Sequence, residues 1–167
     1  MSRVHVAACG MVALILSLPT SGLAATARHE PLEPGCMGRT SPKKMEKAQA
    51  KLADGKTRAG LNALRMQGEE GCAEIANWLE ANGDAAEVDL VEDVVEWVGR
   101  SSAPQAMDLM LKYANSDVED VRETALDALS ERLVELSAEE AAQLTSSPYE
   151  ETRVQAANIL AGHHSVG

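Results

Sequence analysis

The chain has 167 residues, a formal net charge of −11, no phenylalanine and an aromatic content of 2 per cent. That length suits one domain, whose interior must be built from Ala, Leu, Val, Ile and Met. The charge is uneven. From Arg28 to Arg65 nine Lys or Arg stand against four Asp or Glu, and from Met66 onward five stand against 22. Most of the surface therefore lacks the basic footprint that phosphates require, which excludes nucleic acid as a partner.

The opening segment reads as an export signal. Arg3 supplies a positive start, and the apolar run Val6–Leu18 falls short of the ~20 residues a membrane span needs. Gly22-Leu23-Ala24 then places small residues at both positions a signal peptidase reads. Residues 1–24 are thus predicted to be a cleaved signal peptide, with Ala25-Thr26-Ala27 as a second cutting point and a retained anchor as the alternative. Cys9 does not make a lipobox, because the apolar run follows it. The expected location is the periplasm of a two-membrane bacterium, or outside the cell, with no stable membrane insertion.

Residues 25–40 form a predicted irregular lead-in with two prolines, two glycines and Cys36. In an exported chain the pair Cys36 and Cys72 reads as one disulfide, two free thiols being the alternative. Neither Cys has a second Cys or a His at ligand spacing, so no metal site is expected. The five lysines Lys43, Lys44, Lys47, Lys51 and Lys56 read as a solvated helix face, with contact to an anionic surface as the alternative.

Residues 41–162 alternate helix starts and stops. Ser41-Pro42 is a start with proline in the first turn. Ser116-x-x-Glu119, Ser137-x-x-Glu140 and Ser147-x-x-Glu150 have capping-box spacing. Gly55, Gly68, Gly83, Gly99 and Gly162 are the predicted stops. Eight helices are expected near 42–53, 56–67, 71–82, 86–99, 103–115, 117–134, 138–145 and 148–161. Residues 163–167, with the pair His163-His164, are expected to form a flexible tail.

The segment Ser116–Leu129 returns 31 positions later as Ser147–Leu160, with Ser, Glu, Arg, Ala and Leu matching in place. A fixed period of this length marks a helical repeat array. Asp120-Val121-Arg122-x-x-Ala125-x-x-Ala128-Leu129 and Glu151-Thr152-Arg153-x-x-Ala156-x-x-Ile159-Leu160 resemble HEAT and HEAT-like repeats, with Thr57-Arg58-x-x-Leu61-x-x-Leu64 as a weaker copy. The resemblance implies an all-α, right-handed α-solenoid of about four helix pairs. It also implies that Arg58, Arg122 and Arg153 brace acidic groups of their own or a neighbouring repeat.

No catalytic constellation, phosphate loop or cofactor motif is present in the sequence, so a non-enzymatic role is expected and a HEAT-like lyase ranks last. Aligning Val88 with Val118 and Tyr149 places Leu90, Asp93, Trp97, Asp120, Glu123 and Asp127 on the face that lines the concave side of such arrays. These six residues are the predicted binding site, with Trp97 as its anchor. The bland and favoured alternative for Trp97 is cover against Leu61 or Leu64 of the neighbouring pair. The expected function is an exported interaction module holding a protein partner with a basic surface on an acidic face. The alternative is an inhibitor or immunity-type protein that neutralises a basic toxin or hydrolase.

Overall fold

The computed structural model describes residues 35–132 and 136–164, all within one compact unit, Leu32–Gly167. The predicted signal peptide, most of the lead-in and residues 165–167 lie outside the described residues. The helices are α1 (Pro42–Ala53), α2 (Thr57–Arg65), α3 (Gly68–Asn82), α4 (Val88–Gly99), α5 (Ala106–Tyr113), α6 (Glu119–Glu131), α7 (Ala138–Leu144) and α8 (Glu150–His164). A single 3₁₀ turn, Gly83–Ala85, links α3 to α4. No strand occurs among the described residues, so the fold class is all-α.

Local chemistry explains the helix ends, with corrections at Ser116, Ser147, Gly99 and Gly162. Pro42 opens α1, where its missing N–H costs no helix bond. Ser137 and Glu140 form the expected capping box on α7: the Ser137 hydroxyl accepts from the Glu140 N–H at 3.2 Å, and the Glu140 carboxylate accepts from the Ser137 N–H at 2.8 Å. Ser116 and Ser147 do not cap. Helices α6 and α8 begin three residues later, and each hydroxyl instead accepts the N–H two residues on, from Val118 at 3.2 Å and Tyr149 at 3.3 Å. Gly55 and Gly68 do take left-handed φ values, +74° and +66°: Gly55 follows α1, and Gly68 stands past the end of α2 as the first residue of α3. Gly99 and Gly162 do not stop helices by that route: Gly99 is the buried last residue of α4, and Gly162 lies inside α8.

Packing follows chain order. Helix α1 packs on α2, α2 on α3, α3 on α4, α5 on α6 and α7 on α8, while α4 touches α6 and α6 touches α8. One hydrophobic cluster runs through the whole unit, from Cys36 and Ala48 to Ala156 and Ile159. It consists almost wholly of aliphatic residues, as the composition requires. Small residues bring the helices close. A side chain on Gly99 would place its Cβ 2.5 Å from the Ala128 Cβ and 2.9 Å from the Met110 sulfur. Helices α4 and α6 therefore meet there almost backbone to backbone.

The described part of the lead-in is a strap, not a loose arm. Cys36 is buried and bonded to Cys72 on α3, with a Cα–Cα distance of 5.8 Å. The Met37 N–H donates to the Arg65 carbonyl at 2.9 Å, and the Gly68 N–H donates to the Met37 carbonyl at 3.0 Å. Arg65 Nε donates to the Gly35 carbonyl at 2.9 Å, and the Thr40 hydroxyl to the Gln67 carbonyl at 2.9 Å. The irregular segment thus finds partners for its backbone groups at the α2–α3 corner.

Candidate functional site

The repeat seen in the sequence is also a repeat of hydrogen bonds. Arg122 on α6 donates to the Ser116 carbonyl at 2.8 Å, and Arg153 on α8 donates to the Ser147 carbonyl at 2.8 Å. Each arginine closes the turn that precedes its own helix. Arg122 goes further. Its Nε donates to the Glu151 carboxylate of α8 at 2.6 Å, and its guanidinium lies 4.0 Å from the centre of the Tyr149 ring. The Glu151 carboxyl is held below its ordinary pKa, first by a hydrogen bond from its own backbone N–H and then by Arg122.

Two further ion pairs join successive even-numbered helices. Arg58 on α2 meets Asp93 on α4 at 2.5 Å, and Arg100, the residue that caps the end of α4, meets Glu131 on α6 at 3.5 Å. Arg100 also holds Glu96 of its own helix at 2.7 Å. In all three cases the cation sits on the earlier helix and the carboxylate on the later one.

Leu90 and Trp97 are not where the sequence alignment puts them. Both are in the core, 6 and 5 per cent exposed. The cap residue of α4 is Glu87, and that of α6 is Val118. The two helices therefore correspond with Glu87 on Val118, one residue away from the alignment of Val88 on Val118. One residue is about 100° of helix rotation, enough to move a side chain from surface to core. In the corrected register Leu90 matches Val121, Trp97 matches Ala128, and Val94 matches Ala125, all of them buried. The same register sets the acidic residues Glu92 and Glu96 beside Glu123 and Asp127. Trp97 shares the core cluster with Leu61 and Leu64, the cover that was favoured for it, and the Arg65 guanidinium lies 4.9 Å from its ring centre.

Three of the four charged members of the predicted site, Asp93, Glu123 and Asp127, line two adjoining clefts. Between α4 and α6 lies a cleft of about 220 Å³, walled by Glu92, Asp93 and Glu96 on one side and Asp127 and Glu131 on the other, with Arg100 among them. Between α6 and α8 lies a second cleft of about 430 Å³, lined by Glu123, Asp127 and Glu151 and floored by Leu126, Val154 and Gln155. Asp127 lines both, so the two clefts, together the acidic channel, adjoin at α6. Asp120 is exposed but lines neither cleft. The predicted site lacks Glu92, Glu96, Glu131 and Glu151; the one-residue register correction would have found the first two. Val154, 52 per cent exposed, adds apolar surface to the second cleft.

Among the described residues no cluster of His, Cys, Asp and Glu is arranged to hold a metal ion. None of the described helices is long and apolar enough to cross a membrane. The chain matches no protein-family model, no curated protein and no solved structure.

Proposed function

We propose that the chain is an exported, non-enzymatic interaction module built as a HEAT-like solenoid, which holds a basic protein partner in the acidic channel across α4, α6 and α8. The observation that carries this reading is the sharing of Asp127 by two carboxylate-walled clefts, which sets an anionic strip side by side across α4, α6 and α8. Such a strip steers a cationic partner and fixes its register. Arg100 sits inside the strip and neutralises part of it, so the affinity must come from a partner that reaches several carboxylates at once. The repeated arginine-to-turn bonds support the repeat reading, and the Cys36–Cys72 bridge is compatible with an oxidising compartment.

The test is a pull-down of the oxidised protein from its own envelope fraction, beside a Glu96→Lys, Asp127→Lys double variant. One dominant basic partner that disappears with the double variant is the expected result. The same partner retained by the variant overturns the channel as the site. If that partner is a toxin or hydrolase whose activity falls on binding, the module is an inhibitor.

A further inference from the structure

Most cations among the described residues are already bonded. Lys56 holds Asp54, Arg58 holds Asp93, Arg100 holds Glu96, Lys112 holds Asp84 and Arg122 holds Glu151. Arg65, Arg132 and Arg153 donate to main-chain carbonyls. Among the described residues, the cations whose side chains make no ion pair or hydrogen bond are Arg39, Lys43, Lys44, Lys47 and Lys51. All five are exposed, and all five stand together on the strap and α1.

The same end of the molecule exposes apolar side chains. Met37 is 38 per cent exposed and Met66 51 per cent. Their backbones adjoin: the Met37 N–H donates to the Arg65 carbonyl, and a Cβ on Gly38 would lie 2.5 Å from the Met66 carbonyl oxygen. The Ser41 N–H donates to the Gln67 side chain at 3.2 Å, which sets the start of α1 beside this pair. Along α1, Lys44, Lys47 and Lys51 fall within about 60° of one another at about 100° per residue, and Glu46 lies outside that stripe. Met45, Ala48 and Leu52 form the packed face of the helix. Of the acids next along the chain, Glu69 is held by Ser102, and Glu70 sits in the first turn of α3.

We propose that the strap and α1 form a docking surface for an anionic phospholipid bilayer, with the lysine stripe at the headgroups and Met37 and Met66 entering the interface. Two observations choose this occupant. The unpaired cations complement a surface of fixed negative charge, and lysine stems can lie along apolar atoms while their ammonium groups reach the headgroups. The exposed methionines at the same corner supply the apolar area that interfacial binding needs besides charge. The remaining charge sets the orientation. From Gly35 to Gly68 eight Lys or Arg stand against two Asp or Glu, and from Glu69 onward five stand against 22. Packed helices stand about 8–10 Å apart, which is about one Debye length at physiological salt. A bilayer touching α1 therefore meets the cations first, with the carboxylates of later helices screened. The acidic channel takes no part in this docking.

The probes are vesicles of phosphatidylcholine alone and vesicles of phosphatidylcholine with an equal share of phosphatidylglycerol, co-sedimented with the oxidised protein recovered after export. One double variant, Lys44→Gln with Lys47→Gln, removes charge from the stripe. A control, Lys112→Gln with Arg153→Gln, removes the same net charge elsewhere. A third, Met37→Gln with Met66→Gln, removes the apolar pair. All share one N-terminus, so differences between them report the strap and α1, and circular dichroism melting checks that each is folded. Expected is binding to the anionic vesicles only, weakening as salt rises. A lysine at an anionic surface is worth about fivefold in partitioning, so the stripe variant should bind more than about tenfold more weakly. The methionine variant should also lose affinity, and the control should match the parent. No binding to anionic vesicles, equal binding to neutral ones, equal loss in stripe variant and control, or an unaffected methionine variant would each overturn the proposal. A dimer that the stripe variant dissolves, with vesicles ignored, would give the face to the acidic channel of a second copy and likewise overturn it.

Discussion

Arg122 of α6 and Glu151 of α8 form a clasp in which only one partner is buried. The arginine side chain is 7 per cent exposed and the glutamate 44 per cent. Among the described residues Arg122 is the one charged side chain in the core. Its guanidinium is satisfied from three sides, by the Ser116 carbonyl, the Glu151 carboxylate and the Tyr149 ring, which is what burial of a charge demands. Arg153, its repeat partner, makes the same turn bond but is exposed.

Removing Arg122 should therefore cost far more than removing Arg153. We expect Arg122→Ala to destabilise the fold by about 2–3 kcal/mol, from lost hydrogen bonds and lost packing of its stem. Arg153→Ala should cost less than about 1 kcal/mol. Urea unfolding of the two variants measures the difference, and equal values would refute the distinction.

The depressed pKa of Glu151 has a pH signature. A carboxyl lowered on folding from its ordinary 4.5 contributes stability that is present above that value and lost as the pH falls through the folded-state pKa. Glu140 shifts in the same direction, held chiefly by the Ser137 hydroxyl and then by its backbone N–H. Stability should thus fall more steeply below about pH 4.5 in the wild type than in Glu151→Gln. Parallel melting curves for the two proteins between pH 5 and pH 3 would show that the clasp does not form in solution.

Trp97 and Asp127 should separate core from surface. Trp97→Ala opens a large void in a close-packed cluster and should cost about 3–5 kcal/mol. Asp127→Lys changes an exposed residue and should alter stability by no more than about 0.5 kcal/mol, while removing the cationic partner. A Trp97→Ala protein as stable as the parent would mean the indole is not in the core.

The disulfide closes a 36-residue separation and pins a strap that has little core of its own. Loop-closure entropy for a ring of this size is worth roughly 3–4 kcal/mol. Reduction, or Cys72→Ser, should lower the melting temperature and expose the Cys36–Thr40 segment to protease before the rest of the chain. Cleavage that ignores the redox state would contradict the strap.

Helix positions were legible because the punctuation is chemical. Proline after Ser41, the Ser137 capping box and the left-handed Gly55 and Gly68 each act where they stand. Glycines at 83 and 99 carried a second meaning invisible in one dimension: they make room, Gly83 for Tyr113 and Gly99 for Ala128 and Met110. The site was half legible. Asp93, Glu123 and Asp127 line clefts as expected, since carboxylates stay at the surface in any register. Leu90, and Trp97 as an exposed anchor, went astray because the β-branched start of α4 offered Val88 as a match for Val118, and a single-residue slip turns every side chain by about 100°; the favoured burial of Trp97 holds. The partner of Arg122 was legible as an acid of a neighbouring repeat; that Tyr149 would stack on it was not, because stacking depends on how two helices meet.

The one-way direction of the three ion pairs makes each loss unequal. Arg58, Arg100 and Arg122 reach forward to Asp93, Glu131 and Glu151, while Arg153 turns back to the Ser147 and Pro148 carbonyls of its own turn. Removing any of the first three strands an acid on a later helix, whereas removing Arg153 strands only main-chain oxygens.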